Sequence, residues 1–169
     1  RDVSPEDYLI MVGGKPSALF KACAEVGAIV GGADNGDVER LGSFAWDAGI
    51  AFQIVDDILG ATADEETLGK PVGSDLREGK KTLIVVHALE KASPDEKSAI
   101  LKVLGDGNAD PQDVAAANDA LKSTGAIDYA EKRAEEYVRT SKESLEAFPE
   151  VQARRDLLEL IDYFTSRDY

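Results

Sequence analysis

The sequence predicts an all-α protein, and two observations support that prediction. Apolar residues recur at helical spacing along most of the 169 residues, and no segment alternates apolar and polar residues as a half-buried strand does. The pairs Ser4–Pro5 and Ser93–Pro94 are each followed by two acidic residues, a pattern typical of helix starts. Apolar side chains make up 43% of the chain, which is ordinary for a globular protein. We expect residues 1–169 to form one helical domain, a bundle.

The helices can be placed from their start and stop signals. Ser4 is an N-cap with proline in the first turn, and the small residues around Gly27 allow a close helix contact. The run Ala61–Gly79 is loop-like, and Gly105–Asn108 is a turn. The expected helices are Ser4–Val12, Pro16–Gly31, Asp37–Leu59, Thr82–Lys91, one that begins at Ser93, Pro111–Ser123, Ala126–Ala147 and Pro149–Arg167.

The helix Asp37–Leu59 carries an acidic stripe on an otherwise apolar surface. At roughly 100° per residue, Gln53, Asp56, Asp57 and Gly60 share about a third of the circumference. Because the remaining surface is apolar, we expect the helix to be buried. Two adjacent carboxylates there are either driven toward protonation by desolvation or held ionised by cations. The second outcome predicts a metal site.

The lysine loop, residues 69–82, supplies the opposite charge. Lys70, Lys80 and Lys81 offer ammonium groups to oxyanions, and glycines at three positions allow the backbone to approach a ligand. Carboxylates for a hard divalent ion next to lysines for an oxyanion are typical of a magnesium-bound diphosphate.

Four segments together resemble a known family. Residues 52–59 (FQIVDDIL), 68–76 (LGKPVGSDL) and 79–83 (GKKTL) are similar to the second aspartate-rich region of the trans-isoprenyl (polyprenyl) diphosphate synthases. Residues 15–20 (KPSALF) resemble that family's Lys-Thr-Ala helix. The resemblance implies the C-terminal half of the isoprenoid synthase fold, as part of a larger polyprenyl synthetase domain.

The resemblance also implies an activity, a cofactor and site residues. The family joins an allylic diphosphate to isopentenyl diphosphate after Mg²⁺ helps to remove the allylic diphosphate. Carried over to this sequence, Asp56 would ligate Mg²⁺, Asp57 would act at or next to the metal, and Gln53 would orient the metal cluster. The residues expected to bind the allylic diphosphate are Lys15, Lys70 and Lys80, and Lys70 joins Asp56 and Asp57 as a catalytic residue.

The chain departs from the family pattern at three places. The third aspartate of the motif is replaced by Gly60, and the threonine of the Lys-Thr pair is replaced by Pro16. No other Asp-Asp pair occurs in the sequence, so the family's first aspartate-rich motif is absent. We therefore expect the C-terminal half of a synthase, whose active site is completed by an N-terminal half or a companion subunit. The resemblance further implies a homodimer.

Two other functions stay open. A noncatalytic or regulatory subunit of an active synthase would tolerate Gly60 and Pro16. A helical interaction domain without a ligand is disfavoured by the ordered match across the lysine loop.

The composition limits the partners. A formal net charge of −14 disfavours nucleic acid and anionic membranes. No apolar run is long enough to span a bilayer, and one cysteine, Cys23, gives no disulfide framework. We expect a cytoplasmic location. His87 is interpreted as a helix-packing residue, and Trp46 as a core residue or an edge of the hydrocarbon cleft.

Overall fold

The computed structural model describes residues 3–62 and 73–165, and within them it contains helices and no strand. A π-helix at Gly13–Ser17 joins the first two α-helices. The α-helices are α1 (Pro5–Val12), α2 (Ala18–Val30), α3 (Asn35–Thr62), α4 (Ser74–Arg77), α5 (Leu83–Lys91), α6 (Pro94–Val103), α7 (Pro111–Ser123), α8 (Ala126–Ser144) and α9 (Gln152–Thr165).

The capping signals placed several helix starts correctly. Ser93 forms a complete capping box with Glu96, in which its side chain accepts from the backbone of Glu96 and Glu96 accepts from the backbone of Ser93. Asp110 accepts from the backbone N–H of Gln112 and begins α7. These contacts satisfy N–H groups that would otherwise lack partners in the first turn, and the all-α prediction is confirmed.

Two local predictions were wrong. The segment expected to be a loop contains α4, which begins after Gly73 at a φ of 75°, and α4 is anchored by buried Leu76. Pro16 does not open an α-helix but lies inside the π-helix, where the N–H of Ala18 donates to the carbonyl of Gly13. Proline has no N–H to give to the ordinary helical ladder, so a wider turn accommodates it.

The chain divides into two compact units, whose boundaries fall inside α1, α3 and α8. Within the residues that the structure describes, the first unit comprises residues 3–8, 56–62 and 73–132, and the second comprises residues 9–55 and 133–165. Each unit has buried apolar residues of its own. The prediction of one helical domain stays a prediction.

The first unit is centred on α5, α6 and α7. In α5, four consecutive residues from Leu83 to Val86 are buried, so the first turn of this short helix is apolar on every side. Helix α6 packs against α7, and both present buried aliphatic side chains, among them Ile100 and Leu121. Thr82 caps α5 by accepting from the N–H of Val85.

The second unit is built around the first half of α3. Phe44, Ala45 and Ala48 form a buried cluster with Leu145 and Ile161. A polar contact fixes α8 on the same side, because the buried Ser141 Oγ donates to the carbonyl of Phe44 at 2.8 Å. The prediction that this helix is buried is confirmed for residues 44–54, most of which are buried, whereas Glu39, Arg40 and Ser43 before them are exposed.

Candidate functional site

The two adjacent aspartates near the end of α3 differ in exposure. Asp56 is exposed, whereas Asp57 is buried, with 7% of its surface accessible. Neighbouring residues on an α-helix point about 100° apart, so one can face solvent while the other faces the protein. The pair is therefore not a symmetric carboxylate couple.

Asp57 receives a hydrogen bond from Tyr8 on α1. Tyr8 Oη donates to Asp57 Oδ2 at 2.6 Å, and the tyrosine is 1% exposed. Burial, followed by the negative charges of Asp57 and Asp56, raises the pKa of Tyr8 far above its ordinary value. The phenol thus keeps its proton and acts as the donor. We expected either protonation or a cation to stabilise a buried carboxylate here, and the structure adds a tyrosine donor.

Lys80 forms ion pairs with two acidic residues of the lysine loop. Its Nζ lies 2.5 Å from Asp75 Oδ1 and 3.0 Å from Glu78 Oε2. The hydrogen bond to Asp75 is the main cause that raises the pKa of Lys80 above its ordinary value, against the opposing effect of burial. Lys80 is consequently a firmly charged, exposed ammonium group.

Asp75 also lies against the position of the missing third aspartate. A Cβ atom built on Gly60 would lie 2.7 Å from Asp75 Oδ2. Space next to Gly60 is therefore taken by a carboxylate that comes from α4. The absence of a side chain at residue 60 makes this approach possible.

The remaining predicted site residues are distributed as follows. Lys15 is exposed on the π-helix and Gln53 is half-buried on α3, and both belong to the second unit. Asp56, Asp57 and Lys80 belong to the first unit. The prediction for Lys70 falls outside the residues that the structure describes.

The family of this chain is shown by a match to a family model. The model of the polyprenyl synthetases, described as "Polyprenyl synthetase", matches residues 1–121. The chain belongs to the polyprenyl synthetase family.

Individual relatives agree with this assignment. A geranylgeranyl diphosphate synthase of Sulfolobus acidocaldarius is 46% identical over 144 residues, which are 85% of this chain and 43% of that protein. The crystal structure of a geranylgeranyl pyrophosphate synthetase from Pyrococcus horikoshii Ot3 superimposes with a TM-score of 0.90 at 44% identity, covering 99% of this chain and 51% of that one.

A third relative was solved with ligands. The geranylgeranyl pyrophosphate synthase of Corynebacterium glutamicum, complexed with isoprenyl diphosphate and magnesium, is 32% identical with a TM-score of 0.78. The match covers 84% of this chain and 41% of that one. This polyprenyl synthetase chain spans about half the length of the relatives that it matches. None of its described helices is both long and apolar enough to cross a membrane.

The donor groups of the site can be tested against Mg²⁺, the metal that the family resemblance implies. Within residues 3–62 and 73–165, no three carboxylate, imidazole or thiol side chains lie close enough together to hold a metal ion. Mg²⁺ that is already held by a diphosphate needs one or two protein carboxylates, because phosphate oxygens and water complete its shell. Asp56 and Asp57 fit a metal of that kind.

Two aromatic residues singled out in the sequence have packing contacts. The His87 ring is stacked on Tyr129, with centroids 4.0 Å apart, and burial lowers the pKa of His87. Trp46 lies so close to Gly13 that a Cβ there would be 2.6 Å from the indole. Trp46 also lines a small polar pocket with Lys21, Ser43 and Asp47.

An apolar cavity in the second unit was not foreseen. It has a volume of about 430 Å³ and lies among α2, α3 and α9. Phe20 and Phe164 contribute rings to its wall, and these two rings are 5.9 Å apart. The exposed thiol of Cys23 is also on the wall.

Sequence reasoning missed two residues that contact the predicted site. In the sequence, Tyr8 is only part of a short predicted helix, and its need for a hydrogen-bond partner follows from its burial in the structure. Asp75 was included in the family motif without a role of its own. The available signal in the sequence was an acidic residue, Asp75, in the same motif region as Gly60, which stands where the family has an aspartate.

Proposed function

We propose that this polyprenyl synthetase chain contributes one side of a prenyltransferase site that condenses an allylic diphosphate with isopentenyl diphosphate. The observation that carries the proposal is the exposed carboxylate of Asp56 beside the tyrosine-bound carboxylate of Asp57. Relatives that are geranylgeranyl diphosphate synthases, one of them complexed with isoprenyl diphosphate and magnesium, support it.

The residues of this chain act by binding and orienting charge. Asp56 would hold the Mg²⁺ of the metal–diphosphate complex, with Asp57 next to it and Gln53 orienting the complex by hydrogen bonding. When bound, Mg²⁺ stabilises the negative charge that develops on the departing diphosphate. The lysines proposed to bind the diphosphate oxygens are Lys15, Lys70 and Lys80.

Lys80 would exchange partners when the diphosphate binds. Its ammonium group contacts the carboxylates of Asp75 and Glu78. A diphosphate oxygen can replace either carboxylate, because an exposed ion pair of this kind contributes little free energy. Before the diphosphate binds, Asp75 and Glu78 would hold Lys80 near the site.

We further propose that residues outside this chain complete the active site. The sequence has a single Asp-Asp pair, and the chain spans about half the length of its relatives. An N-terminal half or a companion subunit would supply the first aspartate-rich motif, in an assembly that is a homodimer of the complete unit.

A noncatalytic or regulatory subunit is the second candidate. Two observations favour it: Asp75 occupies the space beside Gly60, and Pro16 replaces a threonine hydroxyl within the π-helix. In this case the companion subunit would carry out the chemistry at its own site.

The two candidates are separated by purifying the protein natively and measuring intact masses and prenyl transfer. The assay contains Mg²⁺, dimethylallyl diphosphate and radiolabelled isopentenyl diphosphate. We expect no turnover by the 18.1 kDa chain alone, and turnover when a polypeptide with the first motif accompanies it. In that assembly, Asp56→Asn should lower the rate by about 100-fold or more, because it removes a metal-binding charge.

The control is Asp119→Asn, which changes an exposed carboxylate on α7 and should leave the rate unchanged. If the assembly is active and Asp56→Asn has no effect, the regulatory role is favoured over the catalytic one. Full turnover by the chain alone would refute completion by outside residues.

A further inference from the structure

The contact between Tyr8 and Asp57 joins two segments that are 49 residues apart in sequence. The tyrosine is 1% exposed and the aspartate 7%, so water does not compete for this hydrogen bond. The separation of 2.6 Å is in the range of about 2.5–2.7 Å typical of a hydroxyl that donates to a carboxylate. Such charge-assisted bonds are roughly twice as strong as neutral ones.

This bond determines the orientation of the Asp57 carboxylate. The terminal torsion of an aspartate side chain is broad, so its two oxygens have no strongly preferred direction by themselves. Because Tyr8 binds Oδ2, rotation of the carboxylate about this torsion is restrained. The ring of Tyr8 is itself held by burial, so the donor is rigid as well.

The two carboxylates of the motif thereby acquire different tasks. Asp56 is exposed and can bind a metal–diphosphate directly. Asp57 is buried and accepts a hydrogen bond from Tyr8 at Oδ2, so its carboxylate approaches a metal in an orientation that this contact restrains. Partners that orient a metal-binding carboxylate contribute to metal affinity even though they do not touch the metal.

We propose that Tyr8 is a positioning residue of the metal–diphosphate site and that it acts through Asp57. This inference rests on the proposed function, in which Asp56 and Asp57 bind diphosphate-held Mg²⁺. Loss of the Tyr8 hydroxyl lowers the affinity for metal–diphosphate about tenfold, the lower end of the range of about 10- to 100-fold for such orienting partners.

The test is a double-mutant cycle on the full chain with Tyr8→Phe, Asp57→Asn and the double variant. The probe is the Mn²⁺ complex of inorganic pyrophosphate, and its binding to the protein is followed by isothermal titration calorimetry. We expect Tyr8→Phe to weaken binding about tenfold when residue 57 is aspartate, and less than twofold when it is asparagine. Coupling of this kind arises when one residue acts through the other.

Tyr137→Phe is the matched control. It also removes the hydroxyl of a partly buried tyrosine that lies next to a charged side chain, here the Arg133 guanidinium, 5.4 Å from the ring centroid. A general loss of stability would affect both tyrosine variants, whereas a positioning role affects Tyr8 alone. We therefore expect Mn²⁺–pyrophosphate binding by Tyr137→Phe to equal that of the unmodified chain.

Several results would overturn the proposal. Binding by Tyr8→Phe within twofold of the unmodified chain would leave Tyr8 a packing role only, and equal losses in both residue-57 backgrounds would show that it does not act through Asp57. If Asp56→Asn also binds normally, or the unmodified chain does not bind the probe, the proposed function of the site fails too. A normal Tyr8→Phe combined with a defective Asp56→Asn refutes this inference alone.

A second measurement needs no substitution at position 8. The chain is labelled with 3-fluorotyrosine, and the Tyr8 resonance is assigned by replacing the other tyrosines with phenylalanine one at a time. Addition of Mg²⁺ and pyrophosphate should shift the Tyr8 signal and leave that of Tyr129, which stacks on His87, in place. An unchanged Tyr8 signal at saturating pyrophosphate contradicts a positioning role.

Discussion

The middle and the last turns of α3 are stabilised in different ways. The middle, in the second unit, relies on apolar side chains and on the close approach of Gly49 to Ser17. The last turns, in the first unit, rely on polar partners, with Tyr8 bound to Asp57.

The aspartates of the two regions show what the difference means. Burial alone raises the pKa of Asp47 to about 6, whereas Asp57, which is more deeply buried, accepts a hydrogen bond from Tyr8. A carboxylate removed from water without a donor is destabilised as an anion, and a donor offsets that cost. Helix α3 thus contains one carboxylate whose pKa is raised by burial, Asp47, and one that receives a hydrogen bond, Asp57.

The largest expected effect tests the close-packed middle of α3. In Gly49→Ala, the new Cβ would lie 2.7 Å from Ser17 Cα, a backbone atom that cannot move by a simple side-chain rotation. We expect the free energy of unfolding to fall by about 2 kcal/mol, within the range of about 1–3 kcal/mol typical of overpacking. Urea unfolding followed by circular dichroism measures it.

Gly27→Ala on α2 is the control for this prediction. No atom lies within 4 Å of a Cβ at residue 27, so this change should be neutral or raise stability by up to about 1 kcal/mol through helix propensity. Equal stability of the two variants would show that the Gly49 contact relaxes easily.

A smaller effect sharpens the contrast between the carboxylates. The folded-state pKa of Asp47, about 6, lies above its unfolded value of 3.8, so its ionisation destabilises the fold above about pH 6. We expect Asp47→Asn to raise the free energy of unfolding by about 1 kcal/mol at pH 7.5. Converting the shift from 3.8 to about 6 at about 1.4 kcal/mol per pKa unit would give a larger free energy. The expected effect is smaller because solvent screens this partly exposed group.

The pH dependence provides the check. As the pH falls through about 6 toward 3.8, the unmodified chain becomes protonated at Asp47 in its folded state and the advantage of Asp47→Asn disappears. The exposed Asp119→Asn should show no such pattern. A constant difference at pH 7.5 and pH 4 would contradict the role of burial. Melting temperatures at the two values are sufficient.

The smallest effect tests the polar end of the helix. Gly60→Asp restores the family's third aspartate but places a second carboxylate against Asp75. We expect this variant to be about 0.5–1 kcal/mol less stable than Gly60→Ala without metal, because like charges repel and aspartate is the poorer helix former. In an Asp75→Asn background the part caused by repulsion should vanish.

Salt distinguishes the two contributions. Raising the ionic strength to 1 M shortens the Debye length to about 3 Å and weakens the repulsion, whereas helix propensity is unaffected. If the difference in stability between Gly60→Asp and Gly60→Ala changes neither with salt nor with Asp75→Asn, Asp75 moves away from residue 60. The measurement is urea unfolding in metal-free buffer.

Local signals in the sequence predicted most of the described α-helices, whereas the roles of the motif residues stay predictions. Caps such as Ser93 and the proline starts depend on neighbours within four residues, and they predicted helix starts to within a few residues. The difference between Asp56 and Asp57 could not be predicted, because it depends on where α1 brings Tyr8. The approach of Asp75 to Gly60 is likewise a contact between separate elements. The π-helix was missed because proline in a first turn and proline in a wider turn have the same local pattern.

Trp46 is the sole tryptophan of the chain, and its contacts with Gly13 and the Lys21 ammonium, 5.9 Å from the ring centroid, belong to the second unit. Indole fluorescence is therefore an intrinsic reporter of that unit, whereas far-ultraviolet dichroism reports helices in both. Superimposable denaturation curves from the two signals would demonstrate that the units unfold cooperatively, and separated midpoints would assign an order to their melting.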